Sequence, residues 1–139
     1  MRVLEKVYEF WKMILDFTKR TVAPGVAVLA MTGSIHCGPE CARLEREVDA
    51  LIAARETRVI LDMAGVTHAD SAAIGSIVRC LTKLRGAGGG LRVAAVQSMI
   101  GHSLKLTKVD QVIEVFATVD AAAEGFGGAE AGAGAGRPG

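Results

Sequence analysis

Val59-Ile60-Leu61-Asp62-Met63, followed at a short distance by Asp70-Ser71-Ala72-Ala73-Ile74-Gly75, decides how this chain folds. The apolar run bounded by Arg58 and Asp62 reads as a strand buried on both faces, as inside a parallel sheet. The next six residues, Ala64 to Ala69, read as a loop with Gly65 and Thr67 as turn formers. Asp70 then stands where a helix N-cap belongs, because Ile74, Ile77, Val78, Leu81 and Leu84 follow at helical spacing. Ser71 therefore falls on the first turn, where backbone N–H groups lack helical partners and the macrodipole is positive. A hydroxyl there suits a phosphate, or presentation to another protein. A serine in a first turn is also a common structural choice, so the rest of the chain has to decide.

Working outward, Ile14 to Lys19 alternates as a strand should, and Pro24-Gly25 turns the chain into a second strand, Ala27 to Gly33. Gly38-Pro39 opens a helix, proline being tolerated at the first position. Its buried stripe is Cys41, Leu44, Val48, Leu51 and Ile52. After the Ser71 helix, Arg85-Gly86-Ala87-Gly88-Gly89-Gly90 resembles a nucleotide-binding glycine loop only superficially. Such loops lead from strand to helix, and here the order is helix, glycines, strand. It reads as a helix C-cap and flexible connector. Leu91 to Val96 is the next strand, Gln97-Ser98 a polar stop, Ile100 to Lys108 a helix and Val112 to Phe116 the last strand. Thr118 caps a short final helix through Ala123. This alternation predicts an α/β domain, a mixed and mainly parallel sheet with helices packed against it. Functional loops then gather at the carboxyl ends of the strands. That brings Gly33-Ser34-Ile35-His36, Thr67-His68-Ala69-Asp70-Ser71 and Gln97-Ser98 to one surface.

A chain of 139 residues fits one domain with one core, expected over residues 13–124. Residues 1–12 read as an extension, a short amphipathic stretch carrying Val3, Leu4, Val7, Phe10 and Trp11, with Met13 as an alternative start. From Gly125 to Gly139, Gly and Ala alternate with almost nothing to bury, which predicts a disordered tail. Half the residues are apolar, yet no run approaches the roughly 20 a membrane span needs. Glu5, Lys6, Glu9 and Lys12 rule out a signal-peptide core or an anchor in the extension. A net charge of +1 lacks the basic footprint of a nucleic-acid binder. A cytoplasmic protein with neither membrane insertion nor a nucleic-acid partner is expected. Cys37, Cys41 and Cys80, an odd count with no export signal, argue for reduced thiols. His36, Cys37 and Cys41 fall short of the four ligands of a zinc site, Cys41 and Cys80 read as small core residues, and no metal or cofactor is implied.

An enzyme finds little support. A nucleophilic serine needs a base and an oxyanion hole in reach. His68 is three residues from Ser71, and His36 falls at the same end of the sheet, so a Ser–His pair is conceivable. No carboxylate is clearly placed to orient either ring, and the glycine-rich nucleophile turn is missing. Surface loop histidines are the simpler reading, for His102 as well. Asp62 reads as a strand-end carboxylate that satisfies nearby N–H groups. Asp70 reads as a cap worth about 1 kcal/mol. Ile74 reads as core or as a partner contact, its periodicity favouring at least partial burial.

A buried strand, a short loop, Asp-Ser, small residues, a branched aliphatic and Gly together resemble the STAS domain. More narrowly they resemble the bacterial anti-sigma factor antagonists, whose usual motif is Asp-Ser-Ser-Gly-Leu-Gly. Ala27 to Gly33 matches the family's second strand and its terminal Gly; Leu91 to Val96, Ile100 to Leu106 and Val109 to Phe116 match its later strand–helix–strand. The resemblance spans residues 14 to 124 or thereabouts. It implies a non-enzymatic switch, in which the unmodified protein binds an anti-sigma factor of histidine-kinase-like fold and so frees a sigma factor. That factor, a serine kinase, would phosphorylate Ser71 with MgATP, and a metal-dependent serine phosphatase would reset the switch. The partner surface so implied comprises Gly33, Ser34, Ile35, His36, His68, Asp70, Ser71, Ala72, Ala73, Ile74, Gln97 and Ser98. The alternative is an accessory or scaffold STAS subunit of a lipid-transport or stressosome-like complex; the oligomeric state stays open. Two departures stand out. Gly33-Ser34-Ile35-His36 replaces the common Gly-Glu-Leu-Asp and removes both acids, and Ala72 and Ala73 stand where the motif has Ser and Gly. The methyl of Ala73 would obstruct a partner that approaches the backbone closely.

Overall fold

In the computed structural model, which describes residues 15–36 and 38–126, strands β1 (Leu15–Ala23) and β2 (Val26–Ile35) form an antiparallel hairpin. Gly25 turns it at φ 76°, a conformation that suits glycine. The chain then alternates: α1 (Pro39–Ala53), β3 (Arg58–Ala69), α2 (Ser71–Gly86), β4 (Gly90–Ala94), α3 (Ser98–Leu106), β5 (Glu114–Phe116) and α4 (Val119–Ala123). A 3₁₀ turn, Val109–Gln111, precedes β5. The five strands lie in the order β1-β2-β3-β4-β5, and β2 through β5 run parallel. The extension, Cys37 and residues 127–139 lie outside the described residues.

Period-two alternation divides the strands between two cores. Leu29, Met31, Leu61, Met63 and Val93 face the side covered by α1, α2 and α3. Val26, Val28, Ile60 and Ala94 face the other side and pack against Ala122 of α4 and Phe126. Cys41, Leu44, Val48 and Leu51 are buried along α1, as their spacing requires, and Cys80 is buried on α2. Thr118 caps α4, its hydroxyl accepting from the Ala121 N–H at 3.0 Å.

The helices α1 and α2 are joined by a polar clamp. Glu45 accepts hydrogen bonds from the buried Ser76 hydroxyl at 2.8 Å and from Arg79 Nε at 3.0 Å, and Lys83 reaches Asp49 at 3.2 Å. The Ser76 and Arg79 donors hold the Glu45 carboxyl below its ordinary value.

Several boundaries differ from expectation for identifiable reasons. Ala64 to Ala69 is not a loop but the outer half of β3, paired with β2 at Thr32–Gly65, Gly33–Val66, Ser34–His68 and Ile35–Ala69. Gly65 is no turn former; a Cβ there would lie 2.5 Å from Thr32 Cγ2, so the residue lets the two strands approach. Gly33, at φ 109°, takes up one of two register shifts in this ladder, and β2 runs on to Ile35. β4 stops at Ala94 because Ala95 turns left-handed at φ 61°. α3 starts two residues early, at Ser98, and ends at Leu106, and Lys108 at φ 62° turns the chain beyond it. β5 begins only at Glu114, since Ile113 dips into the main core.

Candidate functional site

Ser71 is the first residue of α2, and a single residue, Asp70, separates it from the end of β3. Asp70 is held from both sides. Its N–H donates to the Ile35 carbonyl at 3.2 Å, and its Oδ1 accepts from the Ala73 N–H at 2.9 Å. The cap is therefore as expected, and it fixes Ser71 between a pinned strand end and a rigid helix. Ser71 and Ala72 are exposed, and the Ser71 hydroxyl makes no hydrogen bond to another described residue.

Around Ser71 the ends of β2 and β3 are knitted together by small polar side chains. Thr67 Oγ1 donates to the Gly33 carbonyl at 3.3 Å and lies 3.5 Å from Ser34 Oγ. His68 Nδ1 sits 3.1 Å from Thr67 Oγ1. His36 Nδ1 lies 3.9 Å from Asp70 Oδ2, with both side chains substantially exposed. A carboxylate thus does stand beside one histidine, contrary to the expectation that none would. That carboxylate is committed to capping α2, and neither ring is hydrogen-bonded to Ser71. A nucleophile–base pair is not assembled.

Gln97 and Ser98, both exposed, join this end of the sheet from the start of α3, and Gln97 Nε2 donates to the Ala64 carbonyl at 2.9 Å. A shallow depression of about 220 Å³ is shared by His36, His68, Asp70, Met99, Ile100 and Ser103. Of the partner surface implied by the resemblance, Ile35 and Ala73 lie inside, and Ile74 takes the burial that its spacing favoured. Ile35, Ala73 and Ile74 are buried in the main core, because the alternation of β2 and the inner stripe of α2 turn them inward. The Ala73 methyl consequently points away from any approaching partner, and the obstruction anticipated for it does not arise. Conversely, Met99, which lies outside the helix expected from Ile100, belongs to α3 and stands in water beside the depression. Its signal is its place one residue ahead of Ile100, about 100° around the helix from the buried stripe of Ile100 and Leu104.

Asp62 accepts from the Ala64 N–H at 3.1 Å, so it serves the local backbone as expected, though inside β3 rather than at its end. Burial pushes the Cys80 thiol up to about 12, which leaves it protonated and unreactive at neutral pH. Among the described residues, no three His, Cys, Asp or Glu side chains converge as metal ligands would, and no helix is long and apolar enough to cross a membrane. A cavity of about 930 Å³ is an open groove at the opposite, amino-terminal ends of β3 to β5, bordered by Arg58, Arg85 and Gly90. The three glycine amides there, on Gly88, Gly89 and Gly90, all donate to backbone carbonyls, so they do not form a phosphate cradle.

A model of the STAS domain matches residues 17–122, which run from within β1 into α4. The chain belongs to the STAS domain family. No curated protein sequence matches it. Among solved structures, this STAS domain is similar to an anti-sigma factor antagonist from Mycobacterium paratuberculosis, at 20% identity and a TM-score of 0.70, over 81% of this chain and 93% of that one. A putative anti-sigma factor antagonist from Thermotoga maritima gives 20% identity and a TM-score of 0.72, over 79% and 93%. Unphosphorylated SpoIIAA, also an anti-sigma factor antagonist, gives 14% identity and a TM-score of 0.66, over 77% and 92%; a phosphorylated form of the Bacillus protein is similar too. A sulfate transporter family protein from Wolinella succinogenes shares the fold at 18% identity and a TM-score of 0.54, over 73% and 84%. At these identities the likeness is one of fold.

Proposed function

We propose that this STAS domain is a cytoplasmic anti-sigma factor antagonist, a non-enzymatic protein-binding switch thrown by phosphorylation of Ser71. The observation that carries the reading is the exposed Ser71 hydroxyl at the first position of α2, directly behind a cap pinned by two backbone hydrogen bonds. A phosphate there adds about −1.5 to −2 charges at neutral pH. The amino-terminal end of α2 tolerates that charge, because its amides and dipole favour anions. In a desolvated interface beside Asp70 the same charge repels an ATP-bearing partner. Binding changes while the fold stays. The partner is an anti-sigma factor that is itself a serine kinase, and a serine phosphatase restores the hydroxyl.

With that kinase and MgATP, wild-type protein should take up one phosphate, on Ser71, and Ser71→Ala none. Ser76 is sealed in the core under Glu45 and is not a competitor. Phosphate found on Thr67 or Ser98 with Ser71 bare would sink the reading. Ser71→Glu should weaken binding of the anti-sigma factor at least tenfold, about 1.4 kcal/mol or more, without lowering the melting temperature.

A second reading has two observations in its favour. Ser34 and His36 stand where anti-sigma factor antagonists commonly carry acids, and a transporter-family protein shares the fold. In that case the same face is a permanent contact of an accessory or scaffold subunit. Equal affinities of wild type and Ser71→Glu for the partner would favour it.

A further inference from the structure

Helix α3 leaves its two largest end residues in water. Met99 is 73% exposed and Leu106 69%, while Ile100 and Leu104 supply the core contacts. Seven residues apart, Met99 and Leu106 lie on one face. Exposed apolar side chains scattered singly carry no meaning, but three observations accompany these two. Met99 borders the same depression as Asp70, so the face is continuous with the Ser71 surface. On its other flank α3 borders a mainly apolar depression of about 410 Å³ that reaches Val96 and the exposed Val115 of β5. The helix and its exit are also basic, carrying His102, Lys105 and Lys108. Neither lysine forms an ion pair with a described residue, and Asp110 is the single acid lining the second depression.

We propose that α3 is the second half of the docking surface, and that it receives an acidic amphipathic helix of the same protein that reads Ser71. The partner's apolar side chains cover Met99 and Leu106, and its carboxylates face Lys105 and Lys108. This rests on the Ser71 reading above and adds to it a reason for the size of the switch. A partner that is acidic where it meets α3 is repelled again by a phosphate at the other end of the same face.

A photoreactive amino acid placed singly at positions 72, 99 and 106 of the full chain, and at Arg46 on α1 as a control, tests this in the native cell. The expected result is one and the same polypeptide cross-linked from 72, 99 and 106, through an Asp/Glu-rich segment at 99 and 106, and none from Arg46. With that polypeptide purified, Met99→Glu and Lys105→Glu should each weaken binding at least tenfold and leave the melting temperature unchanged. The wild-type affinity should fall as salt is raised. Cross-linking from 72 alone overturns the α3 proposal and leaves the Ser71 reading intact. Cross-linking of an acidic polypeptide from 99 and 106 but not from 72 removes the Ser71 reading, and with it the proposal that one partner spans both halves. Lipid adducts at 99 and 106, or a different polypeptide from that at 72, overturn the proposal.

Discussion

At the scale of a residue, Gly89 shows how much a missing methyl group decides. A Cβ at this position would lie 1.8 Å from the carbonyl oxygen of Thr57 and 2.4 Å from its carbon, so backbone would have to move. Gly86, at the other end of the same connector, has nothing within 4 Å of its would-be Cβ and ends α2. Gly89→Ala should therefore cost roughly 2 to 4 kcal/mol, whereas Gly86→Ala should be neutral or stabilise by up to about 1 kcal/mol. Chemical denaturation of the two variants checks this, and equal effects would mean that the connector yields freely. The sequence shows these glycines and places them in a connector, but it reads them as flexible. The reason for Gly89 is lack of room beside Thr57, some thirty positions away. Gly65 is misread for the same cause, since the atoms it would strike belong to Thr32. A glycine is visible in a sequence; what faces it is not.

At the scale of the element, what was legible followed from local pattern. The 3.6-residue spacing of α1 and α2 places their buried stripes, and Asp70 and Thr118 mark helix starts by their own chemistry. What was not legible depends on a neighbouring strand. Ala64 to Ala69 lacks a strand's apolar continuity, and only its ladder with β2 makes it one. The burial of Ile35 and the exposure of Met99 were hidden likewise, so the serine and its cap could be read from the chain while the shape of the surface around them could not. Between elements, Glu45 couples α1 to α2 and gives a testable pH dependence. Its carboxyl is lowered from 4.5 by the Ser76 and Arg79 donors. The folded state then binds the proton less readily than the unfolded chain. The contribution is fully present above the unfolded value and is lost as pH falls through the lowered one. Glu45→Gln should lose about 1 kcal/mol at neutral pH and less in acid. Urea titrations of both proteins at pH 7 and pH 3 would show the gap narrowing; a gap constant with pH would remove the charged clamp.

At the scale of the whole molecule, the second face of the sheet is closed by one guanidinium. Arg92 is almost fully buried on β4. It donates to the carbonyls of Ala122 and Glu124, both at 2.9 Å, and pairs with Glu114 at 3.2 Å. Its charge lies 4.3 Å from the Phe126 ring centre and 5.3 Å from that of Phe116. Ending the chain after Glu124 strips Phe126 from this arrangement and should cost roughly 2 to 3 kcal/mol, while ending it after Phe126 should cost little. A melt of the two truncations decides the matter, and equal melting temperatures would deny the ring its role. The order of the strands in space is also their order in the chain. Each strand as it leaves the ribosome therefore finds its neighbour already made, and none has to wait for a later one to fill a gap beside it. Phe126 is the exception, because its ring packs back on Arg92 of β4 and can do so only after every strand has been made. A nascent chain would thus hold a paired sheet with one face still wet until Phe126 arrives to dry it.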